Sequence, residues 1–302
     1  MDWMKDDGIN IPMLNDTSRN KFYDDAIALA APGKIVVDIG TGTGILSILA
    51  ARAGAKKVYA VEQDQARAEY SRAMFERVGL GNVIEIVHDD FLNTNIPADI
   101  YVSETINTQI FGEGVLEIAE HARKHGGTFL PSKFEITAEV YDNHPIFVLC
   151  QYRSDAFEFQ PDISIDPVFE EAIASSFQAD NSLENTLYRA NVLNGLFTQL
   201  PKFKDLKLQK LYTSEPLIVD LNQPVNIDNI RLTIPADISN NHNTNNIYVV
   251  ITWKAHYQNV IMRSDETWFG NSSKTILRRT RNRDIDITMW YDPLIRDWRF
   301  KF

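Results

Sequence analysis

Glu104 and Glu113 bound a short stretch, Ser103-Glu104-Thr105-Ile106-Asn107-Thr108-Gln109-Ile110-Phe111-Gly112-Glu113, and nine residues are enough for the chain to turn back and set the two carboxylates together. Carboxylates converging on one spot repel unless a cation lies between them. A planar guanidinium with its fork of donors suits such a pair better than an ammonium does. The chemistry predicted is recognition of a guanidino group, with Glu104 and Glu113 as candidate catalytic and substrate-binding residues.

A second constellation is Asp38-Ile39-Gly40-Thr41-Gly42-Thr43-Gly44, a glycine loop between an apolar strand and a helix. Alone it indicates only a nucleotide-type site. A dinucleotide fingerprint places its last glycine where this chain has Ile45, so close backbone approach to a pyrophosphate is not provided. The tighter spacing, with an acid two residues before Gly40, suits a cofactor without pyrophosphate, namely S-adenosylmethionine. Glu62, 22 residues beyond Gly40, can accept both ribose hydroxyls, and Asp90 can meet an adenine amino group. The candidate cofactor set is therefore Asp38, Gly40, Thr41, Gly42, Gly44, Glu62, Gln63, Asp90 and Phe91, joined by Glu104 beside the transferable methyl.

The elements that must carry these residues alternate in the βαβ manner of a parallel sheet. Strands are predicted over 34–39, 57–62, 83–87 and 99–103, with helices over 18–30, 44–53, 65–78 and 113–125. Near Pro131 the texture becomes mainly strand-like, at 134–141, 145–152, 205–219, 226–234, 247–262, 266–269, 284–290 and 298–302. That pattern predicts an antiparallel sheet or barrel. Pro167 to Leu200 has helical periodicity and is either a projecting arm or packed on its own barrel. The expected division is 1–130 and 131–302, with the arm at about 160–200.

The chain has 302 residues, 44% of them hydrophobic, with a single Cys150 and a formal charge of −11. These proportions are globular, need no disulfide, and fit a reducing compartment. Excess acid argues against a nucleic-acid backbone as the main ligand. The acidic start and the lack of an 18-residue apolar run predict a cytoplasmic protein without a membrane partner. His121 and His125 lie four apart without further ligand signature, so no metal is expected. The basic run Arg278-Arg279-Thr280-Arg281-Asn282-Arg283 reads as a solvated hairpin.

Taken together, the segments Val36 to Ser47, Ala53 to Glu62 and the paired glutamates resemble the protein arginine N-methyltransferases. Met13-Leu14-Asn15-Asp16-Thr17-Ser18-Arg19 resembles the family segment whose arginine grips the cofactor's carboxylate, which implies that role for Arg19. Thr252-Trp253-Lys254 resembles the end of the family's Thr-His-Trp motif, and the stretch from Asn107 to Gly114 looks most like the monomethylating branch. The resemblance implies an α/β, Rossmann-like class I methyltransferase domain, then an antiparallel β-barrel bearing a helical dimerisation arm, and a homodimer. The implied substrate is arginine in a protein or peptide, or free arginine. Departures are Thr252 where the family has histidine, with His256 nearby, and Trp3 as the sole aromatic around Met1 to Met4. Trp253 stays open between substrate wall and core. A non-catalytic regulator, another guanidine metabolite and an uncharged acceptor are the competing readings.

Overall fold

Short apolar strands, the first four stopped by a glycine or an acidic residue, assemble the first half into a parallel sheet flanked by helices. The computed structural model describes residues 13–14, 16–106, 110–141, 210–234, 246–264, 274–278, 287–294 and 297–301. Helix α1 (Thr17–Ala30) starts where the Asp16 carboxylate accepts a hydrogen bond from the Arg19 amide at 3.0 Å, satisfying one orphan donor of the first turn. Strand β1 (Ile35–Ile39) leads through the glycine loop into α2 (Ile45–Arg52). There follow β2 (Lys57–Glu62), α3 (Gln65–Arg77), β3 (Ile84–His88), β4 (Ile100–Ser103), α4 (Val115–Arg123) and β5 (Thr128–Leu130).

The five strands lie in the order β3-β2-β1-β4-β5 and all pair in parallel. The chain runs outward from β1 to β3 and then returns to β4 on the other side of β1. The carboxyl ends of β1 and β4 thus frame a topological switch point, where such sheets bind ligands. Ile39 pairs with Ser103 across this junction, so the glycine loop and Glu104 emerge side by side.

Two expectations need adjustment. Helix α4 begins at Val115, not Glu113, because Gly114 takes a left-handed φ of 86° at its N-cap; Glu113 consequently belongs to the loop. Strand β5 was not expected, being only three residues long.

Beyond Pro131 the pairing turns antiparallel. Strands β6 (Lys133–Tyr141), β7 (Lys210–Thr213), β8 (Leu217–Asp220), β10 (Asn246–Tyr257), β11 (Val260–Arg263) and β12 (Lys274–Arg278) form one sheet. Strands β9 (Arg231–Ile234), β13 (Ile287–Asp292) and β14 (Asp297–Lys301) form another. The run 205–219 is broken at Ser214 into β7 and β8, and 247–262 folds as a hairpin whose turn holds Gln258 at φ 51°. Alternate residues Phe134, Ile136, Ala138 and Val140 on β6 and Ile251, Trp253 and Ala255 on β10 are buried with Leu232, Ile234, Met289 and Tyr291 in one continuous core. Arg278 ends β12, whereas residues 279–283 of the basic run lie outside the described residues. So do Trp3, the expected strands at 145–152 and 266–269, and the arm at 160–200. Among the described residues no helix is long and apolar enough to cross a membrane.

Candidate active site

Three glycines shape the loop after β1, with φ of 72° at Gly40, 54° at Gly42 and 88° at Gly44. At Gly44 a Cβ would also stand 2.6 Å from Phe75 Cε1 on α3, closer than any side chain tolerates. Over Gly40 and Gly42 the space is open, with the Thr105 methyl at 4.0 Å and the Gly40 carbonyl at 3.8 Å as the nearest atoms to a Cβ there. Neither position crowds the space above the loop, as close approach of a ligand to the backbone requires.

Asp38 is buried beneath the loop, and its Oδ2 accepts hydrogen bonds from Thr41 Oγ1 and Ser47 Oγ, both at 2.7 Å. Burial pushes its carboxyl up to about 6 against the lowering effect of those hydroxyls. Its Oδ1 has no hydrogen-bond partner among the described residues. Asp38 thus acts as a staple within the loop. Glu62, at the end of β2, accepts from the Gly42 amide and the Asp64 amide, both at 3.0 Å. Each carboxylate oxygen keeps a further lone pair, so Glu62 can brace the loop and still accept from a ribose.

The remaining cofactor candidates divide. Gln63 is exposed beside Glu62, and Asp90 is exposed while its Oδ1 caps a 3-10 turn by accepting from the Leu92 amide at 2.9 Å. Phe91 is buried, edge-on to the His121 ring at 5.1 Å. His121 itself bonds the Thr94 carbonyl at 2.8 Å through Nε2, so this ring is engaged in packing.

Helix α1 brings Arg19 across to β4. Its Nη2 lies 3.0 Å from Glu104 Oε2, with the two side chains only 7% and 11% exposed. Nη1 donates to Asn20 Oδ1 at 2.9 Å, and the guanidinium lies 5.7 Å from the Tyr23 ring centroid, within cation–π reach. Tyr23, one turn further along α1, donates its hydroxyl to the Ser103 carbonyl at 2.9 Å. Burial raises the Glu104 carboxyl above its ordinary value, and the Arg19 charge and hydrogen bond pull it back.

Glu113 remains open to water, which tempers the effect of its surroundings. Its carboxyl is nevertheless pushed up to about 7, first by the protein packed around it and then by the Glu104 charge, with Arg19 opposing. Arg19, Glu104 and Glu113 therefore share one electrostatic neighbourhood. Residues 107–109 between the two acids lie outside the described residues.

Trp253 is 3% exposed, with its ring edge-on to Phe134 at 5.8 Å. Thr252 faces the other side of β10 and shares a 2.8 Å hydroxyl hydrogen bond with Thr137. His256 also points that way, 3.6 Å from Glu135 Oε2.

The family model for ribosomal protein L11 methyltransferase (PrmA) matches residues 23–133. That match takes in the whole parallel sheet and stops where the antiparallel pairing begins. An arginine N(omega)-methyltransferase of Streptomyces achromogenes subsp. streptozoticus is 34% identical over 46% of this chain and 42% of its own length. Protein arginine N-methyltransferase 9 of Mus musculus is 40% identical over 37% of this chain and 14% of its own length. The aligned stretches thus span less than half the length of these curated relatives. A crystal structure of PRMT6 with SAH superposes with a TM-score of 0.62 at 18% identity, covering 97% of this chain and 98% of that one. Protein arginine methyltransferase 10 of Arabidopsis thaliana, in an open conformation, gives 0.57 at 19% identity, covering 92% and 86%. These structures share the fold of the parallel half and of the antiparallel half that follows it.

Two residues that contact the segments carrying Glu104 and Glu113 were not foreseen from the sequence. Tyr23 carried a usable signal, since its four-residue spacing from Arg19 puts both on one helix face. Tyr291, whose hydroxyl donates to the Phe111 carbonyl at 3.0 Å, carried none.

Proposed function

We propose that the chain is an S-adenosylmethionine-dependent N-methyltransferase acting on a guanidino nitrogen of arginine. The observation that carries this reading is the Arg19–Glu104 ion pair at 3.0 Å: the carboxylate assigned to the acceptor already holds a guanidinium, and Glu113 stands within its electrostatic reach. Free L-arginine and protein arginine are both served by such a pair, and the Streptomyces relative's name favours testing the free amino acid first. Monomethylation follows from the likeness of the loop ending Ile110-Phe111-Gly112-Glu113-Gly114 to that branch. We assign residues 1–130 to cofactor binding and 131–302 to the barrel, with a homodimer built through the arm at about 160–200, in the cytoplasm.

Cofactor-binding roles belong to Arg19, Gly40, Gly42, Glu62, Gln63 and Asp90, with Asp38, Thr41, Gly44 and Phe91 maintaining the surface on which it lies. When bound, S-adenosylmethionine supplies a methyl group on a cationic sulfur. The chain's own task is mainly alignment, an effect able to contribute several kcal/mol. Glu104 and Glu113 hold the guanidinium by charge-assisted hydrogen bonds, each worth roughly 1.5–3 kcal/mol. Glu113, with its carboxyl near 7, is matched to accept the proton that leaves nitrogen at neutral pH.

Mass spectrometry after incubation with S-adenosylmethionine plus either free arginine or arginine-containing peptides tests the proposal. Monomethylarginine is the expected product. Product from the free amino acid alone selects the metabolic version, and no product from either acceptor favours a non-catalytic regulator.

A further inference from the structure

We infer that Tyr291, in the antiparallel half, is a positioning residue that clamps the loop carrying Glu113 and so fixes where the acceptor carboxylate stands. The inference deepens the proposed function and rests on the reading of Glu113 as an acceptor-holding group.

Phe111 lies two residues before Glu113, and its carbonyl accepts the 3.0 Å hydrogen bond from Tyr291, 180 residues away in sequence. The Phe111 ring is wholly buried, edge-on to Tyr291 at 5.2 Å and to Phe134 at 5.8 Å. Phe134 in turn meets Trp253 edge-on. Phe111 is therefore plugged between β13 on one sheet and β6 on the other, in the edge-to-face geometry that aromatic rings prefer. The clamp has a firm base, since the Tyr291 amide donates to the Ile230 carbonyl at 3.2 Å.

The residue on the other side of Phe111 shows why a clamp is needed. Ile110 is buried at φ 71°, a left-handed conformation that a β-branched side chain strongly disfavours. Such a conformation persists only where its surroundings over-determine it. The ring socket supplies depth, and the Tyr291 hydroxyl supplies direction. Thr252 and His256 do not share the task, because their side chains turn to Thr137 and Glu135 on the opposite face of β10.

Removing the hydroxyl leaves the ring in place but takes away one of the two hydrogen bonds to the Phe111 carbonyl, which also accepts from the Gly114 amide at 3.1 Å, and so favours conformers that carry the loop outward into water. Glu113 would then lose part of the packing that raises its carboxyl.

The test is Tyr291→Phe in the full chain, followed by two independent readouts. Hydrogen exchange by mass spectrometry is expected to accelerate roughly tenfold in peptides covering 110–118, with peptides from β1 and β2 unchanged. Steady-state kinetics is expected to show kcat lowered about tenfold, cofactor affinity retained, and the acid limb of kcat/KM moved to lower pH. Unchanged exchange at 110–118 overturns the clamp, as do wild-type kcat and pH profile in a variant whose Glu113→Gln counterpart is inactive. Faster exchange in a protein whose wild type transfers no methyl to any guanidine would overturn the reading of the site while leaving the clamp demonstrated.

Discussion

Burial and Arg19 act on Glu104 with opposite sign. The guanidinium favours the ionised carboxylate, whereas burial and the neighbouring acid disfavour ionisation at Glu113, whose carboxyl stands near 7. If ionised Glu113 is needed for turnover, kcat/KM falls about tenfold per pH unit below about 7 and is flat above it. An ordinary carboxylate would place that limb near 4.5. Arg19→Ala removes the one influence that lowers both carboxyls, so the limb should move to higher pH; a limb that stays put would show that the pair is not electrostatically linked. The same raised value has a consequence for folding. The unfolded chain ionises first as pH rises from about 4.5 to about 7, so native stability declines across that window and the loss is complete above it. Glu113→Gln abolishes the effect: differential scanning calorimetry should find the variant melting above wild type at pH 8 and level with it at pH 4.5. The two acids were legible in the sequence because few other arrangements justify paired carboxylates. Arg19 was legible through the resemblance of its segment, although its partner Glu104 was not foreseen. Tyr291 was illegible, because a hydroxyl's partner across 180 residues depends on tertiary pairing that no local pattern encodes.

At the scale of elements, the loop between β1 and α2 illustrates which features sequence can announce. Positive φ at three glycines is a local requirement, and glycine is the local answer. The second role of Gly44, making room for Phe75 of α3, is a packing fact that appears only when the helices are in place. Both requirements make Gly44→Ala costly. Urea titration should find a loss of at least about 1–3 kcal/mol, the range for a strained backbone alone, and methyl transfer should fall with it. Alanine at Gly54, whose φ is 89° but whose Cβ would meet nothing within 4 Å, is expected to cost less. Strand β5 was not legible, because three residues give no periodicity. The splitting of 205–219 and 247–262 did carry a signal, the polar turn residues Ser214-Glu215-Pro216 and Gln258-Asn259. Trp253 could be placed either way by sequence, and on β10 it alternates in step with buried Ile251 and Ala255.

For the whole molecule, cofactor binding should be visible in stability, since a ligand taken by the native state alone adds about 2.7 kcal/mol at a hundredfold excess over Kd. Thermal denaturation with S-adenosylhomocysteine, which lacks the reactive methyl, isolates binding from turnover. A rise in melting temperature that Glu62→Gln reduces is expected, and an unchanged midpoint at millimolar ligand would argue against this cofactor. Light scattering at micromolar protein should give the mass of a dimer, twice 34.5 kDa.

The pairing of Ile39 with Ser103 has a consequence for how such a protein changes over generations. The glycine loop and the Glu104 loop share one rigid seam, so drift in the strands carries both along together and leaves their relation intact. Phe111 and Glu113, in contrast, are tuned from another sheet through Tyr291. If the proposed function holds, variation that alters the choice of acceptor has a place to accumulate, in β13 and its neighbours, without loosening the grip on the methyl donor.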